Sequence, residues 1–205
     1  MSERKSLCDL MLELGPDAPT LCEGWLAADL AAHLVIRERQ PLAAPGILLG
    51  GPFRRALDRA MAATKARPFG ELVDLIRSGP PLPWRPFDSV ANLHEMFVHH
   101  EDLRRGGGDF EPRPEAEIRD VETAIWSTLS RGASLMTRSL KGVALDLVDS
   151  SGRTIHVRRG SPLATLSGRP GEILLYLMGR KAAARVEISG NEQAVRILQR
   201  ARLGV

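Results

Sequence analysis

At 205 residues, 43% hydrophobic and 26% charged, the chain is long enough to bury one or two cores and has the balance of a globular protein. A formal net charge of +3 spread over scattered arginines, with an aromatic content of 4%, argues against a nucleic-acid binder. No stretch approaches the ~20 apolar residues of a membrane span, and the polar start MSERKSLCDLMLEL lacks the apolar run of a signal peptide. Two cysteines outside any C-x-x-C pair exclude a disulfide framework and a zinc ribbon, and place the chain in a reducing cytoplasm.

Leu7, Leu10, Met11 and Leu14 recur at helical spacing and predict a first amphipathic helix over residues 3–14. Gly15-Pro16-Asp17 and Pro19 end it. Thr20 and Glu23 have the spacing of a capping box. The run from Leu26 to Arg39 is apolar around nearly its whole circumference, the signature of a buried helix. Prolines and glycines between 41 and 52 make a loop. Helices follow over Phe53 to Ala66 and Phe69 to Arg77, then a proline-rich connector over 78–87 that carries Trp84. A long helix over Asp88 to Arg105 stops at Gly106-Gly107-Gly108, and another spans Glu115 to Leu140. Beyond it the period changes. Val143 to Val148 and Arg153 to Arg158 alternate around Asp149-Ser150-Ser151-Gly152, which predicts a β-hairpin. A strand at 163–166, a helix at 172–178, a strand at 184–188 and a last helix at 192–202 complete the chain. The expected organisation is an all-α part, 1–140, followed by a small α+β part, 141–205.

The chemistry concentrates on the helix from Asp88 to Arg105. At ~100° per residue, Asp88, Asn92, Glu95, His99 and Asp102 fall in one polar stripe on an otherwise apolar helix. Such a stripe is either the wet face of a surface helix or a polar seam inside a bundle, where metal ligands are built. Glu95 and His99 are one turn apart and can share a divalent cation. His94 and His99 are five apart, about 140° round the helix, so HEMFVH is no zincin motif. His33, mid-helix in an apolar segment, needs partners for its ring nitrogens. Asp29, one turn earlier, is one candidate for them, and a backbone carbonyl is the other. His94 and His100 face the apolar side and read as packing or structural hydrogen bonds. Cys22 reads as a packed thiol, His156 as structural, and Glu101 with Arg104 and Arg105 as salt-bridge partners.

These motifs carry a resemblance. TLCEGWLAADLAAHL, residues 20–34, resembles the T-x-C-x-x-W-x-x-x-x-L-x-x-H-L signature of the DinB-like, mycothiol-dependent maleylpyruvate isomerase family. HEMFVHHEDLRR, residues 94–105, resembles its second motif, and LSGRPGEILLYLMGRKAAARVEISGNEQAV resembles the small sterol-carrier-like α+β domain that follows the bundle. The likeness is nearest an actinobacterial subgroup known only as metal-binding. It implies a DinB-like four-helix bundle with an up-down-down-up course, and a divalent metal, zinc first and nickel second, held by His33, Glu95 and His99. It also implies mycothiol as a thiol cofactor that adds to a small electrophilic substrate. Arg180 matches a recurrent Gly-Arg of the second domain, and is either a contact to an anionic substrate or a surface ion pair. Glu23 departs from the proline common at its place, and the chain is shorter than the full isomerase.

Three functions are open on this reading: a thiol-dependent transferase or isomerase, a metal-dependent hydrolase, and a non-catalytic metal or small-ligand binder. Asp102, one turn from His99, is the candidate for proton transfer, or else it orients His99. The expected partners are a small molecule and a thiol, without nucleic acid or membrane, in a monomer or homodimer. With His33 and the paired motifs in hand, the polar stripe is read as facing inward.

Overall fold

The computed structural model describes residues 2–40, 54–81 and 88–204. The expected loop at 41–52, the part of the connector with Trp84 and the side chain of Asp88 lie outside them. The chain forms two compact units, Met1–Glu111 and Pro112–Val205. Together the described residues hold eight helices and one four-stranded sheet. None of these helices is long and apolar enough to cross a membrane.

The first unit is helical: α1 (Glu3–Leu14), α2 (Ala27–Arg39), α3 (Arg54–Lys65), α4 (Phe69–Arg77) and α5 (Asp88–Arg105). Ser2 caps α1 by accepting from the Lys5 N–H, and Gly15, at φ 81°, ends it with its N–H on the Met11 carbonyl. One core is shared by Leu7 and Met11 of α1, Leu30 and Leu34 of α2, Leu72 and Ile76 of α4, and Met96 and Leu103 of α5. Each fully buried Leu or Ile contributes roughly 1.5–3 kcal/mol. This packing holds α2 and α5, the two helices with the candidate ligands, in one rigid frame. Leu14, expected on the apolar face of α1, is 47% exposed because the helix ends there.

The second unit holds α6 (Glu115–Met136), β1 (Ala144–Asp149), β2 (Thr154–Arg158), β3 (Leu163–Gly168), α7 (Pro170–Leu177), β4 (Val186–Gly190) and α8 (Glu192–Arg200). The sheet order is β2-β1-β3-β4, with β1 antiparallel to β2, parallel to β3, and β3 antiparallel to β4. Register sets Leu145 beside Ala164 and Leu147 beside Leu166, all fully buried on one face. The predicted hairpin, strands and helices of the C-terminal part all form. The division between units falls at 111/112, earlier than the expected 140, because α6 buries Ile118, Ile125, Trp126 and Leu129 and packs against α7 and β2. Helical periodicity shows that an apolar face exists but does not say which neighbour covers it.

Candidate metal centre

The centre is built on facing sides of α2 and α5. His33 and His99 are buried, and their rings meet edge to face with centroids 5.2 Å apart. Trp25 lies against the other side of His33, also at 5.2 Å. Glu95 and His99, one turn apart as their spacing requires, approach to 3.3 Å between Oε2 and Nε2. One donor atom each from His33, Glu95 and His99 lies within 4.8 Å of the others. The structure thus brings together the three residues that the motifs single out. Two imidazole nitrogens and a carboxylate oxygen are a donor set suited to zinc and neighbouring divalent ions.

The far side of His99 is equally organised. Its Nδ1 lies 2.9 Å from Oδ2 of Asp102, which is fully buried. A carboxylate at Nδ1 fixes that nitrogen as an N–H and turns Nε2 towards Glu95 and His33, so that Nε2 carries the lone pair whenever the ring is neutral. Of the two roles open to Asp102, orienting His99 is the one this geometry fits. Cys22 also donates its thiol to Oδ2 of Asp102, at 3.3 Å. Cys22, His99 and Asp102 are close enough to form a second candidate ligand group, but these hydrogen bonds already satisfy it internally.

The loop that delivers Cys22 is held by its backbone. The Leu21 N–H donates to the Asp102 carbonyl at 3.0 Å. Thr20 Oγ1 accepts from the Cys22 N–H at 3.1 Å and donates to the Trp25 carbonyl at 2.9 Å. The Thr20–Glu23 spacing therefore closes a turn rather than a capping box, and α2 begins later, at Ala27. Its N-terminus is served by Asp29, whose Oδ2 accepts from the Leu26 N–H while Oδ1 pairs with Lys65 at 2.6 Å. Those two bonds give Asp29 a role other than the contact to His33 that its spacing allows.

Electrostatics favours an ionised Glu95. Burial opposes the charge, but the His99 hydrogen bond and the positive charge of Arg37 outweigh it and hold the carboxyl at about 2. Burial likewise works against a charged His99, and the bonds to Asp102, Cys22 and Glu95 outweigh it, raising its proton affinity. Arg37 lies 3.5 Å from Oε2 of Glu95 through Nε and donates to Asn92. Asn92 donates to Glu38 at 3.4 Å, and Glu38 is bound by both ends of the Arg4 guanidinium. Neither Arg37 nor this chain of contacts had a sequence signal beyond a basic residue near the end of a helix.

The remaining candidates have contacts of their own. His100 pairs with Glu3 at 2.9 Å in a buried contact, and Glu101 accepts from Arg104 and Arg105. His94 is buried, its Nε2 has no partner among the described residues, and burial lowers its pKa. His156 pairs with Asp146 across the β1–β2 hairpin at 2.8 Å. Arg180, in the second unit, donates to the Met178 carbonyl at 2.7 Å.

No family model matches the sequence, and no curated protein matches it. Among solved structures, the fold is similar to a crystal structure of the mycothiol-dependent maleylpyruvate isomerase, with a TM-score of 0.61, 18% identity, and coverage of 92% of this chain and 90% of the other. A crystal structure of a histidine-to-alanine mutant of that isomerase gives a TM-score of 0.60 at 18% identity over the same shares. At this identity the likeness is one of fold.

Proposed function

We propose that the chain is a metal-dependent enzyme that adds a small thiol to a small electrophilic substrate, with His33, Glu95 and His99 holding the cation. The observation that carries this reading is the convergence of two imidazoles and a carboxylate from two helices, within a fold like that of the mycothiol-dependent maleylpyruvate isomerase. A three-residue donor set is typical of catalytic sites, whereas structural zinc sites are closed by four. When bound, the cation supplies Lewis acidity that holds a thiol deprotonated near neutral pH. Zinc suits the donors best, with nickel second, and mycothiol is the thiol the fold suggests. Asp102 keeps His99 in the tautomer that presents Nε2, and Trp25 packs on His33 and limits its rotation. Transfer, isomerisation and S-conjugation all begin with the same thiol addition.

The test is to purify the chain without chelator, quantify bound metal, and repeat with His33→Ala and Glu95→Ala. The wild type is expected to carry a divalent ion that both variants lose. A wild type that takes up none when zinc, nickel and cobalt are each supplied sinks the reading. In the cobalt-substituted protein, mycothiol is expected to shift the visible spectrum. A spectrum blind to thiols rules out thiol addition and leaves hydrolysis or a non-catalytic metal- or ligand-binding role.

A further inference from the structure

Arg37 stands one turn after His33 on α2, so the two side chains leave the same side of that helix. Its Nε lies 3.5 Å from Oε2 of Glu95, the same oxygen that faces His99. Its Nη1 donates to Asn92, which is neutral. Glu38, the next acid along, is already matched in charge by Arg4, which reaches its two oxygens at 2.7 and 2.9 Å. Among the described residues Glu95 is therefore the carboxylate paired with Arg37, and Nη2 makes no hydrogen bond. The side chain is 22% exposed, so it is open to a ligand from solvent.

The charges around the centre can be followed one by one. A guanidinium stays protonated at any ordinary pH. If Glu95 and the buried Asp102 balance a dication, and the two imidazoles are neutral, Arg37 has no counter-charge left among the described residues until an anion binds. A partly desolvated cation beside a metal centre is unfavourable until an anion joins it. A planar guanidinium with a free N–H edge matches a carboxylate in charge and shape. We infer that Arg37 forms an anion-binding subsite beside the metal centre, which takes the carboxylate of a small ligand. This rests on the metal reading above and adds to it a chemical class of ligand. The carboxylate can sit on the thiol or on the molecule it attacks.

The test uses the full chain loaded with cobalt, with metal content measured first. The wild type, Arg37→Met and Arg37→Lys are titrated with 2-mercaptoethanol, with 3-mercaptopropionate, and with succinate in the presence of 2-mercaptoethanol, following the visible spectrum. In the wild type a carboxylate is expected to tighten binding. Arg37→Met is expected to lose about tenfold or more of that affinity with its metal retained, and Arg37→Lys to recover most of it. A loss confined to 3-mercaptopropionate puts the carboxylate on the thiol, and a loss confined to succinate puts it on the second reactant. The subsite is overturned if a carboxylate brings no gain in the wild type, or if the Met variant keeps that gain. It is also overturned if the Met variant loses the metal, because Arg37 then only holds Glu95 in place. A wild type without metal overturns the functional reading and the subsite with it, and the metal measurement separates that outcome from the others.

Discussion

Sγ of Cys22 lies 3.3 Å from Oδ2 of Asp102, across 80 positions of sequence. That bond ties the loop before α2 to the C-terminal half of α5 through the carboxylate that also holds His99. A metal ligand on one helix is thus steadied by a loop leading into the other.

The loop can approach because of Gly106. A Cβ there would stand 2.0 Å from the Pro19 carbonyl oxygen and 2.6 Å from Cα of Thr20, backbone atoms that cannot swing aside. Gly106→Ala is expected to cost about 3 kcal/mol or more in urea unfolding and to weaken metal binding by displacing residues 19–22. An unchanged unfolding midpoint contradicts the packing described for this loop.

Asp102→Asn keeps the shape but removes the charge that fixes the His99 tautomer. Metal affinity, measured by competition with a chelator, is expected to fall about 10–100-fold while circular dichroism stays the same. Affinity within a factor of two or so of wild type means that Asp102 does not orient His99.

Arg4 and Glu38 form a buried pair, their side chains 16% and 1% exposed, and Arg4 also donates to the Ile76 carbonyl at 2.7 Å. Arg4→Met leaves the Glu38 carboxylate buried without its cation and is expected to cost about 3–5 kcal/mol in denaturant unfolding. Arg4→Met combined with Glu38→Leu is expected to recover part of that loss, because the stranded charge is gone. If the double variant is as unstable as the sum of the singles, the two residues act independently.

Asp149 at the β1–β2 turn accepts from Ser151 and from the backbone and side chain of Arg153. Burial opposes its charge, yet these bonds hold its pKa below the ordinary 3.8. A depressed carboxyl stabilises the fold fully above its unfolded pKa, and that contribution is lost as pH falls through the lower folded value. Thermal scans between about pH 2 and 5 should show the wild type losing stability on acidification. Asp149→Asn is expected to be less stable at neutral pH and flatter across that window. Parallel profiles for the two proteins refute the linkage.

Part of the centre was legible because it is local. Glu95, His99 and Asp102 lie on one stripe of a single helix, and His33 stood out as a histidine in an almost wholly apolar helix. The rest depends on how α2, α5 and the loop between α1 and α2 meet. Cys22 read as a packed thiol, because nothing near it in sequence announces Asp102. Arg37 gave no sign of Glu95, since only the approach of α5 brings the two together. Asp29 is one turn from His33, yet it sits in the first turn of α2, where the Leu26 N–H takes its carboxylate. The secondary structure of the second unit followed from alternation and turn residues. The allegiance of α6 did not, because an apolar helical face is silent about its partner.

The two thiols of the chain differ sharply in accessibility. Cys8 is fully buried in the helical core, and burial pushes its pKa up to about 11. Cys22 keeps some exposure and touches the carboxylate behind His99. A maleimide or iodoacetamide offered to the native chain therefore has a single reachable target beside the candidate centre. The rate of its labelling gives a native reporter of what happens at His99, with no engineered probe.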